Sequence, residues 1–360
     1  MTSPTTDLSR RHFLGIGSAC AAHVLLMAQP FPLAAREIWS RQTRGRVVAQ
    51  EPFGRLEAVG EGLWALISTP LGGDYSTVSN GGIVAGRRGV LVIEAFQTVE
   101  GARWLAERAK ELTGRWPTHI LLTHYHGDHS RGVGGYSLDL GGSSREELAV
   151  LGERGGGPLT PGHDPLPEDP SIHVTETTRS LVTRGLSPDA SPQLRRRWAD
   201  VVLVPEEGTS VLDLGDRIIT VSPHRGHTAS DVTVEIPEEG VIWCGDLFWN
   251  GMFPNYMDAV PSRLARAVTA IRAASWSTLV PGHGPLAGPE DLDRYVAVIR
   301  GVEETARLAR REGWTAEEAA RRHEIPDNLG DWTLFNPSYF QRAVEAWLRE
   351  WDGGAATPVL

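Results

Sequence analysis

The segment that most limits how this chain can fold is His124-Tyr125-His126-Gly127-Asp128-His129, which follows directly on an apolar run at residues 118–123. The run reads as a buried strand, and side chains two apart on an extended chain point the same way. His124 and His126 can therefore grip one metal ion, while Asp128 and His129, on the turn beyond, reach another. His119, inside the strand, reads as structural.

Strand-like and helix-like stretches alternate from Phe53 onward. Residues 63–68, 81–85 and 90–93 are short β-rich runs separated by Gly and Asn-Gly punctuation. Residues 99–113 place Ala102, Leu105, Ala106, Ala109 and Leu112 at helical spacing, which gives one buriable face. Residues 201–204, 217–221, 232–236 and 241–244 read as strands, 262–274 as a helix and 278–280 as a brief strand. Each round of alternation ends in a His-bearing loop, so two related α/β halves sharing a cleft are expected. Residues 131–171 hold ten Gly, five Pro and one aromatic, with only 145–151 reading as a helical turn. They form a long insertion beside the site, either a lid or disordered. After Pro289 the chain reads as helical to Trp351, and Thr315 with Glu318 three residues on is a capping-box signature. Trp314, Trp332, Phe335, Tyr339, Phe340 and Trp347 are expected to pack this extension onto the main domain.

With 360 residues, 41% hydrophobic and 22% charged, the chain is globular material for one large domain or two modest ones. Its net charge of −10 argues against nucleic acid or an anionic membrane as the main partner. The start, Ser9-Arg10-Arg11-His12-Phe13-Leu14 followed by a small apolar run at 15–28, resembles a twin-arginine export signal. That resemblance implies removal of residues 1–35, a linker over 36–52 and a periplasmic or extracellular place of action. No later run reaches the roughly 18 apolar residues that a membrane span needs, so no transmembrane segment is expected after signal removal. Cys20 falls in the signal, which leaves Cys244 as a lone thiol.

Three further loops carry donors after apolar strands: Gly226-His227-Thr228, Gly245-Asp246 and Pro281-Gly282-His283-Gly284. With the motif at 124–129 they resemble, in order, the four metal-binding loops of the metallo-β-lactamase-fold superfamily, beginning with its H-x-H-x-D-H signature. The resemblance spans residues 53–289. It implies an α/β fold, a four-layer αβ/βα sandwich, here with a C-terminal helical extension over 290–360. By the same resemblance His124, His126 and His227 hold a first zinc, Asp128, His129 and His283 hold a second, and Asp246 bridges them. Imidazole and carboxylate suit zinc, with iron or manganese as alternatives. His126 stands where the diiron branch tends to place Glu, which favours zinc.

Zinc lowers the pKa of bound water to about 7 and polarises a carbonyl. The resemblance thus implies a dinuclear zinc hydrolase that cleaves an ester, lactone, thioester or related bond of a small molecule by metal-bound hydroxide. Two dications, two carboxylates and one hydroxide leave a positive site, which favours anionic substrates. Asp128 is the expected catalytic carboxylate, orienting the hydroxide and passing its proton to the leaving group. In the apolar and aromatic run at 247–257, Asn250 and Tyr256 are the candidate substrate-binding donors to an oxyanion. Glu94 stands where the family commonly has a supporting Asp. Cys244 reads as a small hydrophobe within a strand, and His163, His173, His224 and His323 lack ligand-like company. A β-lactamase is a second reading, against which Asp246 weighs, because lactamase branches generally lack a bridging carboxylate. A non-catalytic metal-binding accessory protein of an exported redox or quinoprotein system is a third, and a persulfide-oxidising iron enzyme a fourth. Oligomeric state is left open.

Overall fold

A computed structural model describes residues 44–137 and 169–358. The export signal at 1–35, linker residues 36–43 and insertion residues 138–168, with the turn at 145–151 and His163, lie outside the described residues. The frame is a pair of sheets. The first follows chain order: β1 (Arg46–Glu51), β2 (Gly54–Gly60), β3 (Leu63–Ser68), β4 (Gly81–Ala85), β5 (Val90–Ile93), β6 (His119–Leu121), β7 (Ser171–Thr175) and β8 (Val202–Val204). Pairing is antiparallel up to β5 and parallel from β5 to β8. The second sheet contains β9 (Ser210–Asp213), β10 (Ile218–His224), β11 (Asp231–Ile236), β12 (Val241–Trp249) and β13 (Thr278–His283). Its order is β13-β12-β11-β10-β9, antiparallel except for the parallel pair β12 and β13. The helices are α1 (Val99–Thr113), α2 (Gly127–Ser130), α3 (Glu176–Gly185), α4 (Pro192–Ala199), α5 (Pro261–Ala273), α6 (Pro289–Glu312), α7 (Ala316–Ala320) and α8 (Tyr339–Trp351).

Alternation along the strands sorts side chains into layers. On β5, Leu91 and Ile93 join Val221, Val234, Trp243 and Val280 in the core between the sheets. Val90 and Val92 of the same strand turn the other way and pack with Ala102, Leu105, Ala106 and Ala109 of α1. On β12, Trp243 enters the inner core, whereas Ile242 and Cys244 pack with Leu264 and Val268 of α5 and Leu292 and Tyr295 of α6. The outcome is the expected αβ/βα sandwich of four layers. Thr98 caps α1 by accepting the Gly101 N–H at 3.2 Å, and Gly114, at φ +74°, ends it.

Several elements differ from the sequence reading. Residues 46–51, read as linker, form β1: an edge strand with one partner needs backbone pairing to β2, not an apolar face, and its side chains are exposed or half-buried. Leu112, placed on the buried face of α1, is 37% exposed; it lies in the last turn, beyond Ala109, the last buried residue of the helix. Residues 131–136, read as the start of the insertion, form a 3-10 helix that buries Val133 and Tyr136. Strand β12 runs five residues past Cys244 and is buried throughout, although Gly245-Asp246 breaks its apolar pattern. In the extension, Phe335, Tyr339 and Trp347 are buried in the second helix layer, with Trp314, Trp332 and Phe340 packed against it. Thr315 and Glu318 form the expected capping box. Thr333 pairs by backbone with Gly251 and Phe253, each at 3.0 Å, which fastens the extension to the loop after β12. Among the described residues no helix is long and apolar enough to cross a membrane.

Candidate metal centre

The structure brings all seven predicted donors together in two groups, His124, His126, His227 and Asp246 in one, Asp128, His129 and His283 in the other. Within each group the donor atoms lie within 4.8 Å of one another. The loop after β6 supplies His124 and His126 and helix α2 supplies Asp128 and His129, with the Ser130 hydroxyl donating to the carbonyls of Tyr125 (3.0 Å) and His126 (2.9 Å). His227 lies in a loop folded over Asp231, whose carboxylate accepts N–H bonds from Gly226 (2.9 Å) and Thr228 (3.1 Å) and the Thr228 hydroxyl (2.6 Å). Asp246 projects from β12 beside Gly245, which at φ +51° marks an irregularity in the pairing with β13. On β13, a Cβ at Gly282 would fall 1.9 Å from Asp246 Oδ1, so only glycine lets the strand lie against this carboxylate. Asn80 fixes the His283 loop by donating from Nδ2 to the carbonyls of Pro281 (2.9 Å) and Gly284 (2.7 Å).

In the first group, His126 Nδ1 lies 3.1 Å from His124 Nε2 and 3.0 Å from His227 Nε2. Tetrahedral ligation at bond lengths of about 2.0–2.1 Å spaces donors by about 3.3 Å, close to this triangle. Asp246 serves both groups. Its Oδ2 is 3.2 Å from His227 Nε2, and its Oδ1 is 3.2 Å from His129 Nε2 and 3.3 Å from His283 Nε2. Asp128 Oδ2 lies 3.3 Å from His283 Nε2 and 3.7 Å from His129 Nε2. Although these approaches are close, His129 Nε2, His283 Nε2 and Asp246 Oδ1 are buried and lack aligned hydrogen-bond partners. Buried polar atoms are seldom left so, and three of them converging on one point is what a cation satisfies. The donor set, imidazole and carboxylate without thiolate, fits divalent metal ions.

Burial and charge work against each other here. Burial pushes His124 well below the usual imidazole range, and neighbouring His129 adds to this. At His129 burial acts in the same direction, yet Asp246, Glu94 and Asp128 outweigh it and hold the ring well above that range. His283 is raised to about 9 in the same way, with Asp246 and Asp128 overcoming burial. For Asp128 and Asp246 burial alone would favour the neutral acid, but the surrounding imidazoles keep both carboxyls well below their ordinary value. A cation entering these groups takes over the compensating role of the protons and displaces them.

Partners behind the donors complete the centre. Glu94, 2% exposed, places Oε1 3.0 Å from His129 Nδ1, though off hydrogen-bond alignment, and accepts the Thr123 hydroxyl at 2.5 Å. The longer side chain thus reaches the place where the family commonly has a supporting Asp. Asp258, unmarked by the sequence reading, faces His126 Nε2 at 3.3 Å and accepts the Tyr125 hydroxyl. Trp249 packs its ring on His283 with centroids 4.2 Å apart, and Phe335 from the extension stands 6.1 Å from both rings. His126 and Asp128 have the most exposed side chains of the donors, 13% and 17%, and so mark the open side.

The two expected oxyanion donors are placed otherwise. Asn250 gives its side-chain N–H to the carbonyl of Pro285 (3.1 Å), bracing the loop after His283. Tyr256 is 1% exposed and stacks with Phe253 in the helix-layer core. Cys244 is buried and outside both groups, its thiol pushed up by burial, as a small hydrophobe would be. His119 and His173 bond to each other at 3.1 Å, His224 to Thr233 at 3.2 Å and His323 to Thr305 at 2.8 Å, none joining the donors. Besides Asp258, the sequence reading missed Asp231 and Asn80. Asn80 had a signal of sorts, since it was taken only as the Asn of an Asn-Gly turn.

A seven-donor centre on a two-sheet sandwich defines a class of metal-binding fold, and comparison with known proteins agrees. A family model described as the metallo-beta-lactamase superfamily matches residues 75–283, more than half of the chain. The chain belongs to that superfamily. A curated relative, acyl-coenzyme A thioesterase MBLAC2 from Homo sapiens, is 28% identical over 198 residues. That match covers 52% of this chain and 64% of the relative. The protein of the same description from Bos taurus is 27% identical over 190 residues, covering 50% and 61%. The chain therefore spans less than two thirds of the length of either. A crystal structure of a metallo beta lactamase from Erythrobacter litoralis, with beta mercaptoethanol in its active site, superposes with a TM-score of 0.51 at 18% identity. It covers 70% of this chain and 98% of that one, and shows a shared fold.

Proposed function

We propose that the protein is a dinuclear zinc hydrolase of a small molecule, acting on an ester, lactone, thioester or related bond, with a thioester as first choice. The observation that carries the two-metal reading is Asp246, whose two oxygens each face a different group of imidazoles. The thioester preference draws support from the two curated relatives. When bound, a pair of zinc ions supplies an activated water and polarises the scissile carbonyl. His124, His126 and His227 would hold one ion, Asp128, His129 and His283 the other, with Asp246 between them. Asp128 stands on the open side, its backbone carbonyl fixed by the Ser79 hydroxyl at 2.6 Å. Its Oδ2 is directed to His283, which leaves Oδ1 to orient the attacking water and carry its proton to the leaving group.

The substrate's charge is a separate matter. The sequence count of two carboxylates omits Glu94 and Asp258, both buried against ligand imidazoles. Four carboxylates balance two dications before any hydroxide is added, so the argument for an anionic substrate loses its basis.

Metal quantification of the purified protein, followed by a panel of thioester, ester, lactone and β-lactam substrates, tests the assignment. Two zinc per chain and preferential thioester cleavage are expected; one iron per chain, or a dominant β-lactam rate, overturns it. For Asp128→Asn, loss of turnover by about 10²–10⁴-fold with both metals retained is expected, and full turnover refutes the proton role. We also propose export by the twin-arginine route to the periplasm or beyond. Replacing Arg10 and Arg11 by Lys should trap the protein inside the cell, and unaltered export would remove the idea.

A further inference from the structure

We propose that Asp258, with Tyr125 behind it, is a positioning residue that fixes the His126 imidazole in the orientation and tautomer the first donor group requires. The inference rests on the metal reading above. His126 presents Nδ1 to the group, whereas His124 and His227 present Nε2. Its other nitrogen, Nε2, faces the Asp258 carboxylate at 3.3 Å to Oδ1 and 3.4 Å to Oδ2. A neutral imidazole carries its proton on one nitrogen and a lone pair on the other, and the partner of the first decides which. An ionised carboxylate only accepts, so Asp258 draws the proton to Nε2 and leaves the Nδ1 lone pair for a cation.

Confinement explains why this imidazole needs outside support. The side chain of His126 is 13% exposed against 1% for His124 and His227, so packing holds it least. The Ser130 hydroxyl fixes the backbone on either side of it, and the ring's rotation remains to be set. Asp258 is itself held, at 2% exposure, by the hydroxyl that Tyr125 donates to its Oδ2. Tyr125 thus acts through Asp258 on the residue next to it in sequence. The loop between β12 and α5 delivers this carboxylate from 132 positions away.

The test measures zinc affinity of the full chain by chelator competition, with ¹H–¹⁵N spectra of the histidine rings in the zinc-loaded protein. Asp258→Ala should weaken zinc binding about 10–100-fold and abolish or broaden the signal of an Nδ1-bound, Nε2-protonated ring. Asp258→Asn, which keeps an acceptor oxygen, should retain that signal with a smaller loss, and Tyr125→Phe should lose less again. Affinity within about twofold of wild type and an unchanged ring spectrum in Asp258→Ala overturn the proposal. Should that variant not fold, the same result in both Asp258→Asn and Tyr125→Phe overturns it. Wild-type protein that binds no zinc removes the metal reading and this inference together; variants that match a zinc-binding wild type remove the inference alone.

Discussion

Glu94 combines two costs that a side chain of no importance would not carry. It is a buried carboxylate, and its backbone sits at φ +71°, in the left-handed region that non-glycine residues seldom enter. Both serve to aim Oε1 at His129 Nδ1 while the Thr123 hydroxyl and N–H occupy the carboxylate. Glu94→Gln preserves the shape and removes the charge. It should weaken the second zinc about 10–100-fold in chelator competition while the first is retained, and equal loss at both would point to a general structural defect. At this scale the sequence exposed the donors far better than their supports. His124 to His129 sit within six positions after an apolar strand, a local pattern. Asp258 and Asn80 act on residues 132 and 201 positions away, and nothing in their own neighbourhoods marks them as different from loop residues.

Between elements, the tightest constraint is the contact of β13 with β12. Gly282 lies against Asp246 and Gly245, where backbone and the Asp246 carboxylate both block a side chain. Gly282→Ala must displace Asp246 or separate the strands. Activity should fall by about 10²-fold or more, since a misplacement near 1 Å has that effect. Zinc stoichiometry should drop as well; a variant with two zinc and near-normal turnover would show that the strands yield easily. Strands β3, β4 and β5 and helix α1 were legible to the residue, because the strands are short β-rich runs, the helix has an apolar stripe, and Gly, Asn or Thr stand at their ends. Strand β1 and helices α3 and α4 were not. Their burial is slight, so they lack the apolar stripe on which periodicity depends.

For the molecule as a whole, two histidines outside both donor groups make stability depend on pH. Burial pushes His173 down to about 4, helped by its neighbour His119, and burial pushes His224 to about 4 as well. Unfolded histidine titrates near 6.5, so between these values the unfolded chain binds more protons than the native one. Their contribution is complete above about 6.5 and is lost as pH falls toward 4, at most about 3 kcal/mol for each. Thermal denaturation across this range should show Tm falling with acid, and His173→Gln and His224→Gln should each flatten the slope. Parallel slopes for wild type and both variants would locate the acid sensitivity elsewhere.

The attachment of Thr333 to the loop after β12, with Phe335 against Trp249 and His283, ties the last stretch of the chain to the innermost part of the centre. The two regions therefore cannot be exchanged independently. A hybrid joining this sandwich to the terminal helices of a relative would place an ill-fitting ring, or none, beside the final ligand, and a chain cut after β13 would leave that ligand's aromatic shield incomplete.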